Sequence, residues 1–204
     1  CCFENAARQT DEASRTSLLT FVIVGGGATG VEYAGALSEL IHGPLVKDYR
    51  TIDFRSVRIV LVEAADSLVA GMPETIQSYT LRRLQRMGID VRLRTKVTEV
   101  RPEALVLNNH ETMHTRTVVW CAGVRGEPLA NLSGMATDRE GRVHVMPTLQ
   151  VPEQPEIYVI GDLAYIEEDG RPLPIVAQAA HRQTGCLGVD SQFRHVAGVA
   201  AFSG

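Results

Sequence analysis

The sequence predicts an α/β fold, and three observations carry that prediction. Phe21-Val22-Ile23-Val24 is a short apolar run that leads straight into Gly25-Gly26-Gly27-Ala28-Thr29-Gly30. Beyond the glycines, Val31, Ala34, Leu37, Leu40 and Ile41 recur at helical spacing. A second apolar run, Val57 to Val62, ends on Glu63, and after residue 96 the pattern changes to short alternating stretches separated by turns. Continuous apolar runs describe strands buried on both faces of a parallel sheet. The alternating stretches describe an antiparallel β-meander. Together they give a Rossmann-like domain carrying such a meander.

The elements follow in order. Residues 3–20 read as a polar helix and a connector, with Asp11, Glu12, Ser14, Arg15 and Thr16 on solvated surface. Gly25, Gly27 and Gly30 occupy the G-x-G-x-x-G positions. The first glycine allows the tight turn, the second admits a pyrophosphate to the backbone, and the third lets helix pack on strand. The helix start, Ala28-Thr29, would face the phosphates with free N–H groups and the positive end of the helix dipole. His42-Gly43-Pro44 stops this helix, and residues 45–56 read as a polar insertion.

Glu63 stands at the end of the second strand, where an acid can accept hydrogen bonds from both adenosine ribose hydroxyls. Such an acid repels a 2′-phosphate, so NADH is expected over NADPH. Its distance from the glycines exceeds the usual spacing of about 20 residues because of the insertion. Pro73-Glu74 opens another helix through Ile76, Tyr79, Leu81, Leu84 and Met87, closed by Gly88. Residues 89–93 alternate as a short strand. Residues 97–100 and 104–107 form a hairpin, and residues 115–119 a further strand that exits through Cys121-Ala122-Gly123. That exit is either a plain strand-to-loop turn or a close backbone approach to a cofactor at Ala122 and Gly123. Cys121 has no basic neighbour and reads as a small buried residue.

Later, residues 157–160 form a strand that ends at Gly161-Asp162. Asp162 can hydrogen-bond a polyol or cap the next turn. Ala177-Gln178-Ala179-Ala180-His181-Arg182-Gln183 lies on a helix whose small residues admit a ligand or a second helix.

Composition narrows the function classes. The chain has 204 residues, a formal net charge of −4 and no basic run, which gives nucleic-acid binding no support. No apolar run is long enough to span a membrane. His110 and His114 fall in a hairpin with no third ligand near, so no metal site is expected. Four cysteines without C-x-x-C spacing favour a reducing, cytoplasmic compartment. The chain opens on Cys1-Cys2-Phe3, carries no methionine there, and is expected to be incomplete.

In this order the pieces resemble the type II NADH:quinone oxidoreductases of the pyridine nucleotide–disulfide oxidoreductase superfamily. The resemblance runs through Leu18 to Glu32, Leu61-Val62-Glu63-Ala64, Val119 to Val124, Pro147-Thr148-Leu149-Gln150, Ile157 to Asp162 and Ala177-Gln178-Ala179-Ala180. It implies an NADH-binding domain at residues 20–125 inserted into an FAD-binding domain. Residues 1–19 would connect from an N-terminal half of that FAD domain, and residues 140–204 would be its C-terminal part. It implies Gly161 and Asp162 at the FAD ribityl and phosphate region, with Ala177 beside the cofactor. It places Gln178, Ala180, Arg182 and Gln183 at the quinone, where Arg182 stands in place of an expected second glutamine. Glu32 would lie near the nicotinamide–flavin contact, although an acid there also complements the helix dipole.

The resemblance further implies hydride transfer from NADH to FAD and then two electrons to a quinone. The full-length protein would sit peripherally on the inner face of the plasma membrane, with room for a homodimer. The earlier glycine motif for FAD is not in these residues, so the chain alone is expected to bind FAD poorly. The competing expectations are an FAD-dependent reductase with a ferredoxin, disulfide or peroxide acceptor, and a non-catalytic NADH-binding fragment.

Overall fold

A computed structural model describes residues 2–123, 134–168, 170–173 and 183. The chain divides into two compact units, Cys1–Gly123 and Val124–Gly204.

The first unit is built on a four-stranded sheet of β1 (Thr20–Val24), β2 (Arg58–Val62), β3 (Ile89–Arg92) and β7 (Thr117–Trp120). The order is β3-β2-β1-β7 and every pairing is parallel. Alternate residues of each strand enter different cores, as the pleat requires. Phe21, Ile23, Ile59, Leu61 and Ile89 pack with Ala34 and Ile41 of α3 (Ala28–His42) and Leu84 of α5 (Glu74–Arg86). Val22, Val24, Val60 and Val62 pack instead with Leu105, Leu107 and Met113 of the meander. That meander is β4 (Val97–Arg101), β5 (Ala104–Leu107) and β6 (Glu111–His114), antiparallel throughout. Covering both faces accounts for the unbroken apolar runs.

The short strand expected at residues 89–93 forms over Ile89–Arg92 and joins the parallel sheet through register with β2. Three other sequence expectations change. The stretch before β1 folds as α1 (Cys2–Arg8) and α2 (Glu12–Leu18). Asp11, Glu12 and Thr16 are exposed as expected, but Phe3 and Ala6 are core residues. The insertion at 45–56 is not simply polar. It forms α4 (Pro44–Asp48) and a 3-10 turn at Phe54–Ser56, buries Ile52, and sets the Tyr49 and Phe54 rings 5.5 and 5.8 Å from Phe3. Phe3 also stacks on Phe21 of β1 at 5.5 Å. Finally, Leu40, Ile76 and Tyr79 are exposed. On α5 only Leu84 is buried, with Leu81 and Met87 packed against the core, so its apolar stripe is shorter than the periodicity predicts.

The second unit, in its described residues, has a small core of Val143, Val151, Val159 and Ala164. Around it run β8 (Val143–His144) parallel to β11 (Ala164–Tyr165), and β9 (Gln150–Val151) antiparallel to β10 (Gln154–Tyr158). β12 (Glu167–Glu168) and β13 (Arg171–Pro172) form a further antiparallel pair. Asp138 and Arg142 form a largely buried ion pair at 2.8 Å, and the Arg142 guanidinium lies 4.9 Å over the Tyr165 ring.

Candidate functional site: a glycine turn at the carboxyl ends of the strands

Register brings Val24, Val62 and Trp120 level, so β1, β2 and β7 end at one edge of the sheet. The chain leaves β1 for β2 on one side and returns to β7 on the other. The crevice at such a reversal is where ligands bind in open α/β sheets.

Each glycine at this edge meets a different constraint. Gly25 has φ +112°, a region that side chains avoid, and a Cβ there would lie 2.8 Å from the Ala122 nitrogen. Its own N–H donates to the Val62 carbonyl at 2.8 Å, while Cys121 N–H donates to Val24 at 2.8 Å. Gly30 presses the start of α3 onto the Gly25 carbonyl oxygen, where a Cβ would collide. Gly27, the N-cap of α3, has open space around it, and no side chain caps the helix. The first N–H groups of Ala28 and Thr29 are thus left for an incoming acceptor.

Glu63 is held more tightly than its position implied. One carboxylate oxygen accepts from Gly26 N–H at 2.5 Å and the other from Ala65 N–H at 2.7 Å. The strand-end acid and the glycine turn form one hydrogen-bonded unit. Sequence reasoning passed over Gly26, Ala65 and Leu68. A Cβ on Gly26 would lie 2.6 Å from the Leu68 side chain, and Val69 N–H donates to Gly26 O at 2.8 Å. The repeated glycine at position 26 was the available signal; the loop that covers it has no periodic pattern.

At the far side, Ala122 and Gly123 follow β7, and Gly123 has φ +72°. The Trp120 indole N–H donates to the Ala122 carbonyl at 2.9 Å. Burial pushes the Cys121 thiol up, which keeps it protonated and suits packing over nucleophilic chemistry. Glu32 is exposed and lies just past the first turn of α3, Ala28–Val31, which contains no acid. Dipole complementation fades beyond the first turn, so it gives Glu32 little reason to be there.

In the second unit, Gly161 opens a 3-10 turn, Gly161–Leu163, at φ +71°. Asp162 does not cap it, and among the described residues its carboxylate makes no hydrogen bond or ion pair. Gln183 is buried, and its Oε1 accepts from Gly161 N–H at 2.6 Å. Ala177, Gln178, Ala180 and Arg182 lie outside the described residues. Among the described residues, no group of histidine, cysteine or acidic side chains is arranged to hold a metal ion.

A parallel sheet with a glycine turn, an uncapped helix start and a strand-end acid defines a dinucleotide-binding protein. Comparison with known proteins is more specific. The family described as pyridine nucleotide-disulphide oxidoreductase matches residues 2–184, and the chain belongs to it. It is 36% identical over 186 residues to the type II NADH:quinone oxidoreductase Ndh of Mycobacterium tuberculosis, covering 87% of this chain and 39% of that protein. It is 34% identical over 166 residues to the type II NADH:quinone oxidoreductase of Haemophilus influenzae, covering 80% of this chain and 37% of that protein. Among solved structures it is similar to Plasmodium falciparum NDH2 in complex with NADH, with a TM-score of 0.69 and 22% identity over 81% of this chain and 36% of that one. The chain therefore spans well under half the length of the relatives it matches.

Proposed function

We propose that the protein containing this chain is an FAD-dependent NADH:quinone oxidoreductase. The carrying observation is the joined unit of Glu63 with the glycine turn, on a chain whose curated relatives are named type II NADH:quinone oxidoreductases. The space over Gly27 and the uncapped start of α3 fit a pyrophosphate, with Gly25 and Gly30 shaping the turn and Ala28 and Thr29 offering N–H groups. Glu63 would take the ribose hydroxyls on its remaining lone pairs and exclude a 2′-phosphate. Ala122 and Gly123 would leave the nicotinamide half free to approach, and Glu32 would orient it or relay a proton.

The left-handed Gly161 turn and the Asp162 carboxylate, free among the described residues, fit the hydroxyl-bearing chain of FAD. FAD, when bound, supplies the two-electron chemistry that accepts hydride, and the protein supplies position and electrostatics. Ala177 belongs beside the cofactor in this reading, and Gln178, Ala180 and Arg182 at the quinone. No helix among the described residues is long and apolar enough to cross a membrane, and the reading places the full protein peripherally on one.

The test is NADH oxidation by the full-length flavoprotein with ubiquinone or menaquinone, beside ferredoxin and disulfide acceptors. Quinone turnover at the highest rate is expected. Absence of turnover with every quinone rejects the proposal, and faster reduction of ferredoxin or a disulfide replaces its acceptor.

A further inference from the structure

We infer that Gln183 is a positioning residue for the Gly161–Asp162 turn and not a contact of the quinone. The inference rests on the reading of that turn as an FAD contact. Gln183 is 8% exposed, and its Oε1 is committed to Gly161 N–H at 2.6 Å across 22 residues of sequence. Gly161 is in the left-handed region, and no side chain of its own turn caps the 3-10 helix that it begins. A backbone N–H in such a turn has no strand partner and must find an acceptor elsewhere. Gln183 is that acceptor. The hydrogen bond fixes the Ile160–Gly161 peptide plane, one residue before Asp162, whose carboxylate is the free group of the turn among the described residues.

A side chain this buried is poorly placed to greet a substrate arriving from solvent or lipid. Its effect on catalysis would pass through the flavin. Gln183, which the family resemblance gives to the quinone, is thereby tied to the turn proposed for the FAD side of the reaction.

The experiment uses the full-length flavoprotein with Gln183→Leu and Gln183→Glu. Flavin per polypeptide, the temperature of flavin release read by fluorescence, and quinone KM at saturating FAD are measured. Gln183→Leu removes the acceptor and is expected to weaken FAD retention by about ten-fold or more, the cost of one buried unsatisfied N–H. Its quinone KM should stay within about two-fold of wild type once FAD is saturating. Gln183→Glu keeps an acceptor oxygen at the same reach and should keep most of the flavin. Full flavin in Gln183→Leu with a raised quinone KM would overturn the inference. If the leucine variant does not fold, a folded Gln183→Glu variant carries the test: flavin release and quinone KM both as in wild type support the inference, and normal flavin with a raised quinone KM overturns it. A wild-type protein that holds FAD yet reduces no quinone would sink the proposed acceptor alone, since flavin release still reports on Gln183.

Discussion

The two glycine turns of this chain, each with a glycine at positive φ, are held by different means. Gly25 to Gly30 lies between the strand and the helix that it joins, and its partners come from neighbouring strand ends. Glu63 and Ala122 both pack on it from the same sheet edge. Gly161-Asp162 follows a two-stranded antiparallel pair and borrows its key acceptor from Gln183, 22 residues downstream. The first turn is determined by a sheet with a core on each side. The second, among the described residues, rests on one long-range hydrogen bond and a small core of four residues. A turn built into a large sheet tolerates little change in backbone contact, whereas a turn whose N–H is met by a distant side chain is sensitive at that side chain.

Substitutions can sharpen the contrast. Gly30→Ala should have the largest effect, because the new methyl group meets the Gly25 carbonyl oxygen and the turn cannot relax without moving the sheet edge. Loss of more than about 3 kcal/mol, or failure to fold, is expected in thermal or urea denaturation. Gly27→Ala separates folding from binding, since its methyl enters open space. Stability should stay within about 0.5 kcal/mol while NADH affinity falls about 100-fold by titration, as the methyl takes pyrophosphate room. An unchanged affinity would remove Gly27 from the site.

In the second unit, Arg142→Ala leaves Asp138 without its buried partner and removes the cation from the Tyr165 ring. A loss of about 2 kcal/mol is expected in that unit. This pair also sets a pH dependence. Burial raises the Asp138 carboxyl, but hydrogen bonds from the Arg142 backbone and side chain and from Glu140 N–H outweigh it, and the group ends below its ordinary range. Its stabilising contribution is full above the unfolded carboxylate value and is lost as pH falls through the lowered folded value. Arg142→Ala should flatten that acid limb in denaturation curves; an equally steep limb would assign the effect to another group.

Glu63→Gln should raise NADH KM about ten-fold and narrow the preference over NADPH, because an amide cannot accept from both Gly26 and Ala65. Steady-state kinetics with both nucleotides measures this. The smallest effect belongs to Trp120→Phe, which loses only the exposed bond to the Ala122 carbonyl. NADH affinity should change by less than about three-fold.

Much of this architecture is legible along the chain because its causes are local. Strand, glycine turn and helix follow from apolar runs, from the freedom of glycine at positive φ, and from a periodicity that persists through α3. Glu63 is readable at its strand end for the same reason. Other features depend on residues far apart in sequence. Phe3 becomes core only when residues 49 and 54 fold over it, and Leu40, Ile76 and Tyr79 stay exposed despite their helical spacing. Gly26, Leu68 and Ala65 become a closed support for Glu63 only when the second strand lies beside the first. The family resemblance gives Gln183 to the quinone, and only the folded chain brings its oxygen to the Gly161 N–H. Helical and extended periodicities are written residue by residue, whereas the partner of a buried polar atom is decided by which distant backbone group folding leaves in need of one.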